Sequence, residues 1–248
     1  MRKFAISDIH GCLNTFMALL TTLKLTKEDE LYLLGDLIDR GPNGKGVLDL
    51  VMQMQEEGYN ITVLMGNHEW LFLQAVDETI PYCWDWRRFQ NWMKNGGTTT
   101  LANFGYKRID DLKGLDKKYD TFLRNLKTHV ELDKYILVHA GFNFKEEDIY
   151  KDTQNMFWIR NYYADIKPEK INNKIIIHGH ATRNYETLEQ DIKEMKYPAI
   201  DIDCGCVYAL KNPLARLCAL DLDTLVPIFQ ENIDRDITKV KKEESVKG

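Results

Sequence analysis

Five times along this chain a short run of aliphatic residues ends on side chains able to bind a metal or move a proton. Phe4-Ala5-Ile6 leads to Asp8 and His10, Leu31-Tyr32-Leu33-Leu34 to Asp36 and Asp39, and Ile61-Thr62-Val63-Leu64 to Asn67 and His68. Further on, Tyr135-Ile136-Leu137-Val138 leads to His139, and Ile175-Ile176-Ile177 to His178 and His180. Continuous apolar runs of this length, bounded by Gly and Asp, read as strands buried on both faces. Open α/β sheets gather their ligands past the carboxyl ends of such strands. Of the six histidines only His129 lies away from these ends.

The segments between the first three runs are helical in pattern. Phe16, Leu19, Leu20 and Leu23 repeat at helical spacing within Leu13 to Leu25, and Val47, Leu48, Leu50, Val51 and Met54 do so within Gly46 to Glu57, ahead of Gly58. Strand, motif, helix, repeated, is the rhythm of a largely parallel sheet with right-handed crossovers, which places all the motifs along one edge. Asp8 and His10 face the same way if strand geometry continues through them. The pattern changes from Trp70 to about Glu131, where Tyr82, Trp84, Trp86, Phe89 and Trp92 cluster and Gly96-Gly97 interrupts a helical pattern. A helical insertion of about residues 70–130 is expected. Its tryptophans either line a substrate groove or pack within their own bundle, and packing is the simpler reading. Asp120 to His129 reads as another helix, with His129 at a surface or boundary. Ala199 to Asp203, Ala215 to Leu220 and Leu225 to Phe229 read as three closing strands. The expected division is one domain over residues 1–230 and a charged tail over 231–248.

Composition narrows the classes. A chain of 248 residues is long enough to bury a substantial core, and a net charge of −5 argues against a general affinity for nucleic acid backbone. No run approaches the ~20 apolar residues of a membrane span, and the start meets Asp8 before a signal-peptide core could form, so a cytoplasmic protein with no membrane partner is expected. The cysteines, Cys12, Cys83, Cys204, Cys206 and Cys218, are odd in number and lack C-x-x-C spacing. They are read as reduced, with Cys204-Gly205-Cys206 at a buried strand end rather than a redox pair.

The motifs Asp8-x-His10-Gly11, Gly35-Asp36-x-x-Asp39-Arg40-Gly41, Gly66-Asn67-His68-Glu69, His139-Ala140-Gly141 and Gly179-His180 stand in an order and spacing that resembles the calcineurin-like metallophosphoesterases. Within them the chain looks like the bacterial and phage-type serine/threonine phosphoprotein phosphatases, which are related to diadenosine tetraphosphatases. One departure is Cys204, where many relatives carry Thr before the Gly. The resemblance implies an α/β sandwich of two mixed β-sheets flanked by helices, with the helical insertion beside the metals. It implies that Asp8, His10 and Asp36 bind one metal and that Asp36, Asn67, His139 and His180 bind a second, with Asp36 bridging. Carboxylates, neutral imidazoles and an amide oxygen suit two divalent ions, manganese first and iron or zinc as alternatives. Such a pair would acidify a shared water for in-line attack at phosphorus.

By the same resemblance His68 is the general acid, oriented by Asp39, and Arg40 and Arg160 bind the substrate phosphate. His178 matches no ligand position and is a supporting or structural residue. The expected activity is a dimetal protein phosphatase on phosphoserine or phosphothreonine, with phosphotyrosine as a further substrate. The main rival substrate is a dinucleoside polyphosphate, as in bis(5'-nucleosyl)-tetraphosphatases. A third reading is a degenerate module that keeps metals as staples.

Overall fold

In the computed structural model, which describes residues 1–76, 86–208 and 214–234, the apolar runs are strands. Three of them, β1 (Lys3–Ile6), β2 (Glu30–Leu33) and β3 (Asn60–Val63), lie parallel, with α1 (Leu13–Leu23) and α2 (Gly44–Glu56) as crossovers. A helical stretch follows: α3 (Asn67–Val76), α4 (Trp86–Trp92), a π-helical turn at Met93–Gly97, α5 (Thr98–Asn103) and α6 (Lys117–Arg124). The second sheet is built by β4 (His129–Glu131), β5 (Tyr135–Val138), β6 (Ile175–His178) and β7 (Ala199–Asp201), with α7 (Thr153–Trp158) and α8 (Tyr185–Glu194) between strands. The chain then returns to the first sheet through β8 (Arg216–Asp221) and β9 (Pro227–Glu231).

The sheet orders are β3-β2-β1-β8-β9 and β4-β5-β6-β7. β1 with β8, β8 with β9, and β4 with β5 pair antiparallel, so both sheets are mixed. Side-chain alternation explains how they stack. Ala5, Tyr32, Leu137, Ile177, Ile200 and Leu220 point into one cluster drawn from both sheets. Their neighbours Phe4, Ile6, Leu31, Leu33, Ile136 and Ile176 turn the other way, onto a core that includes Phe16, Leu19, Val47 and Val51 of the helices. This is the expected two-sheet sandwich. Among the described residues no helix is long and apolar enough to cross a membrane.

Three local expectations are corrected. The helix expected to reach His129 stops at Arg124, because His129, Val130 and Glu131 pair with Val138, Leu137 and Ile136. β1 ends at Ile6, so Asp8 and His10 are not strand residues. The tail begins later than residue 231, since Glu231 belongs to β9 and Asn232 and Asp234 are buried; residues 235–248 lie outside the described residues, as do Cys83 and Trp84.

Asp234 has a specific task. Cys12, at the start of α1, offers no side-chain cap. The Asp234 carboxylate takes that place, accepting the N–H groups of Asn14 at 3.2 Å and Thr15 at 2.8 Å and the Thr15 hydroxyl at 2.7 Å. It satisfies orphan amides and faces the positive end of the helix. Asp234→Ala should therefore lower stability by about 1–2 kcal/mol, the usual range for a lost N-cap, read as a lower urea midpoint at unchanged slope.

Asp29 anchors the N-terminus in a similar way, accepting the Arg2 N–H at 3.0 Å, its guanidinium, and the Thr26 N–H at 3.0 Å. The Arg2 side chain holds the Asp29 carboxyl below the usual carboxylate range. A lowered folded-state pKa gives stability that is present above the unfolded value of ~3.9 and lost as pH falls through the folded one. Asp29→Asn should lower the melting temperature at neutral pH and flatten the loss of stability below about pH 4.

Candidate metal centre

The ends of β1 and β2 are tied together through their backbones. The N–H groups of His10 and Gly11 each donate at 2.8 Å to the carbonyls of Asp36 and Leu37. Asp8, His10, Asp36, Asp39, Arg40 and His180 all have φ between 46° and 69°. Side chains other than Gly rarely hold this left-handed conformation, and it concentrates where surrounding structure enforces it. It is this turn, not strand alternation, that aims Asp8 and His10 into the site.

Much of the enforcement comes from Glu69, which is fully buried. Its carboxylate accepts four backbone N–H groups, from Gly66 at 3.0 Å, Asp36 at 2.9 Å, Leu37 at 2.8 Å and Ile38 at 3.3 Å. Two glycines permit the close approach: a Cβ on Gly66 would stand 2.3 Å from Asp36 Oδ1, and one on Gly179 2.1 Å from Asp8 Oδ2.

Asp36 lies between two groups of donors, His10 and His68 on one side and His139 and His180 on the other. Its Oδ2 is 3.5 Å from His10 Nε2 and 3.8 Å from His68 Nε2, and its Oδ1 is 3.5 Å from His139 Nε2. Asn67 Oδ1 stands 3.0 Å from both His139 Nε2 and His180 Nδ1. The Nδ1 atoms of His10 and His139 face the carbonyls of Ile38 and Leu34, at 3.0 and 2.8 Å. Donating there, each ring turns the lone pair of Nε2 toward Asp36. Asp8 stands slightly apart: its Oδ1 is 3.9 Å from His10 Nε2, and its Oδ2 accepts the Ser7 hydroxyl and, at 3.0 Å, the His180 N–H.

The electrostatics ask for a cation. Burial pushes the carboxyls of Asp8, Asp36, Glu69 and Asp203 up, with neighbouring acids adding to it at Asp8 and Asp36. Burial also pushes the imidazoles of His10, His68 and His180 down, which keeps them neutral. Buried acids of this density are tolerated when paired or coordinated to metal, and neutral imidazoles are the form that ligates. Arg40 donates at 2.7 Å to His10 Nε2, the lone pair that a metal would take. The donor set thus fits two divalent ions.

His68 and Asp39 form a second unit. His68 Nδ1 lies 2.7 Å from Asp39 Oδ2, while its Nε2 is buried without a hydrogen-bond partner. Asp39 accepts the Thr100 hydroxyl at 2.6 Å and the Trp92 indole N–H at 2.9 Å, and its own N–H donates to Thr100 Oγ1 at 2.9 Å. Burial pushes the Asp39 carboxyl up to about 7 against those donors. Trp92 therefore holds a site residue, while packing edge-on against Phe72 at 5.0 Å. Trp86 is 59 % exposed.

His178 points away from these donors, its Nε2 meeting the Tyr163 hydroxyl at 2.6 Å. Arg160 follows α7 at the surface, where its charge reaches His180. Glu69, Trp92, Thr100 and Ser7 escape the sequence reading as site residues. Only Glu69 leaves a local signal, directly after Asn67-His68.

A sequence model of the calcineurin-like phosphoesterases matches residues 1–204. Two curated relatives are symmetrical bis(5'-nucleosyl)-tetraphosphatases. The one from Nitrosospira multiformis is 31% identical over 57% of this chain and 44% of its own length. The one from Salmonella arizonae is 40% identical over 31% of this chain and 26% of its own length. The chain thus spans less than half of these relatives. Among solved structures, a metallophosphoesterase from Sphaerobacter thermophilus superposes with TM-score 0.56 at 18% identity, covering 99% of this chain and 93% of that one. A protein serine/threonine phosphatase from Saccharomyces cerevisiae gives 0.58 at 13% identity, covering 95% and 81%.

Glu69→Gln puts an amide N–H₂ against backbone donors. It should cost about 2–4 kcal/mol in chemical denaturation and weaken Mn²⁺ binding by roughly 10- to 100-fold in calorimetry. Retained affinity would mean that the Asp36 turn holds itself.

Proposed function

Because the chain belongs to the calcineurin-like phosphoesterases, we propose that it hydrolyses phosphoesters with two divalent ions, a reading carried by Asp36 and the two histidine groups that meet on its carboxylate. Asp8, His10 and Asp36 would hold one ion, and Asp36, Asn67, His139 and His180 the other, manganese being the first candidate. Ions held there supply Lewis-acid chemistry at the phosphoryl group and acidify water.

The chain's own residues do the rest. His68 presents Nε2 toward the site, and Asp39 fixes the ring by its bond to Nδ1. A carboxylate partner on Nδ1 favours a proton on the other ring nitrogen, Nε2, where it would meet the departing oxygen. Arg40, released from His10, offers a planar fork that matches two phosphoryl oxygens. Arg160 is a second, more peripheral phosphate contact.

Two substrate classes suit this chemistry. We place dinucleoside polyphosphates first, ahead of phosphoproteins, because the curated relatives are named for them at 31% and 40% identity. That reverses the order expected from the motifs. The phosphoserine or phosphothreonine reading keeps one supporting observation, the elaborately held His68. A general acid matters most for an alkoxide leaving group and less for a nucleotide phosphate. A degenerate module has less support, since the donors converge and the His68–Asp39 pair is intact.

With Mn²⁺ present, diadenosine tetraphosphate should be cleaved with kcat/KM at least about tenfold above a phosphothreonine peptide; the opposite order would restore the protein phosphatase reading. His68→Asn should cost roughly 10²- to 10⁴-fold on the phosphothreonine peptide and clearly less on 4-nitrophenyl phosphate, whose leaving group needs little protonation. Equal losses on both would remove His68 from the role of acid.

A further inference from the structure

Beyond His180 the same strand-end wall borders a cavity of about 430 Å³. Ala181, next to His180, and His178, two residues before His180, both line it. Arg160 also lines it, so the cavity shares a proposed phosphate contact and begins one residue past the proposed ligand His180. Its volume falls within the roughly 300–1,000 Å³ of small-molecule sites.

The lining is chemically selective. Two aromatic walls, Tyr163 and Tyr197, stand with ring centroids 5.7 Å apart and planes at 54°. Tyr163 is fixed by the bond between its hydroxyl and His178 Nε2. At the inner end Asp201, paired in register with His178, is 4 % exposed and accepts the Asp203 N–H at 2.9 Å through Oδ1. Two buried polar atoms of this lining have no hydrogen-bond partner, Arg183 Nε and the Tyr162 hydroxyl. Arg183 is already placed by Asp191 and by the Thr187 hydroxyl, at 3.2 Å.

The Arg160 guanidinium and the unpartnered Arg183 Nε for an anion, aromatic faces for a flat ring and a carboxyl for a ring's amino edge are together the recognition chemistry of a nucleoside phosphate. A phosphopeptide would use the phosphate contacts but would leave the enclosed carboxyl and the tyrosine faces without a common purpose.

We propose that this cavity is the subsite for the nucleoside phosphate portion of the substrate, with the base against Tyr197 and Tyr163 and the adjoining phosphates on Arg160 and Arg183. This assignment rests on the nucleotide reading above and gives it a location. It also gives His178 a role in positioning, since that ring holds the Tyr163 wall while binding neither metal nor phosphate.

The test is calorimetry in chelator with ADP, ribose 5-phosphate and O-phosphotyrosine, on the wild type and on Tyr197→Ser. ADP should bind at least about tenfold more tightly than ribose 5-phosphate, and Tyr197→Ser should weaken ADP by roughly 5- to 100-fold, as for other base-stacking residues, with ribose 5-phosphate unaffected. Equal affinity for ADP and ribose 5-phosphate, an unchanged ADP affinity in the variant, or tighter binding of O-phosphotyrosine than of ADP would each overturn the assignment. Turnover of 4-nitrophenyl phosphate with Mn²⁺ is followed separately. Its absence from the wild type would remove the hydrolase reading while leaving the binding result to stand alone. An unchanged melting temperature of Tyr197→Ser shows that the fold of the variant is intact.

Discussion

The candidate site depends on one buried carboxylate that belongs to neither group of metal donors. Glu69 gathers the amides of Gly66, Asp36, Leu37 and Ile38, and so fixes the turn after β2 against the turn after β3. A charge-assisted hydrogen bond contributes about 1.5–3 kcal/mol when made, and a buried carboxylate without partners costs more than that. The arrangement is therefore close to all-or-none: with four donors present the turn is rigid, and with the carboxylate removed four amides lose their partner together.

That rigidity is needed because the turns are strained. Six residues proposed for metal, proton or phosphate are left-handed, Arg40 among them, which lacks the short polar side chain that eases such a backbone in Asp. Conformations of this kind persist where the surroundings over-determine them. Here the surroundings are the parallel strand ends, cross-linked from His10 and Gly11 to Asp36 and Leu37, and backed by apolar layers on both faces of β1 and β2. The core between the sheets thus acts on function through the stiffness of its edges.

The sequence made the strands and their terminal ligands legible, because a β-rich run followed by Asp, His or Asn is a local signal that recurs. It misplaced what depends on partners far along the chain. Val130 and Leu137 make a strand pair of a segment with helical pattern. Asp234 caps α1 across 220 residues, as it does at Asn14, and nothing near residue 234 announces it. The Asp8 and His10 geometry was expected from alternation, but the Gly35 to Leu37 turn sets it instead. Neither alternative for the tryptophans anticipated the Trp92 indole on Asp39, since a polar handle on a packed aromatic is invisible to hydrophobic periodicity.

The helical stretch is consequently built into the candidate site rather than attached beside it. Trp92 and Thr100 flank the π-helical turn and both bond Asp39, while within that turn the Gly96 carbonyl accepts the Arg40 N–H at 3.2 Å. A Cβ on Gly96 would stand 2.7 Å from Arg40 Cγ, so this position admits only glycine without displacing the arginine. One short segment therefore holds both the partner of the proposed acid and a proposed phosphate cation. Residues 92–100 cannot drift freely to suit a new substrate without also moving Asp39 and Arg40. The cavity beside β6 has no such tie to Asp39 or Arg40, as its lining comes from the stretch after α7, the end of β6, the turns on either side of α8 and the end of β7. Specificity in this architecture is free to change there, at Tyr163 and Tyr197, while Asp39 and Arg40 stay fixed.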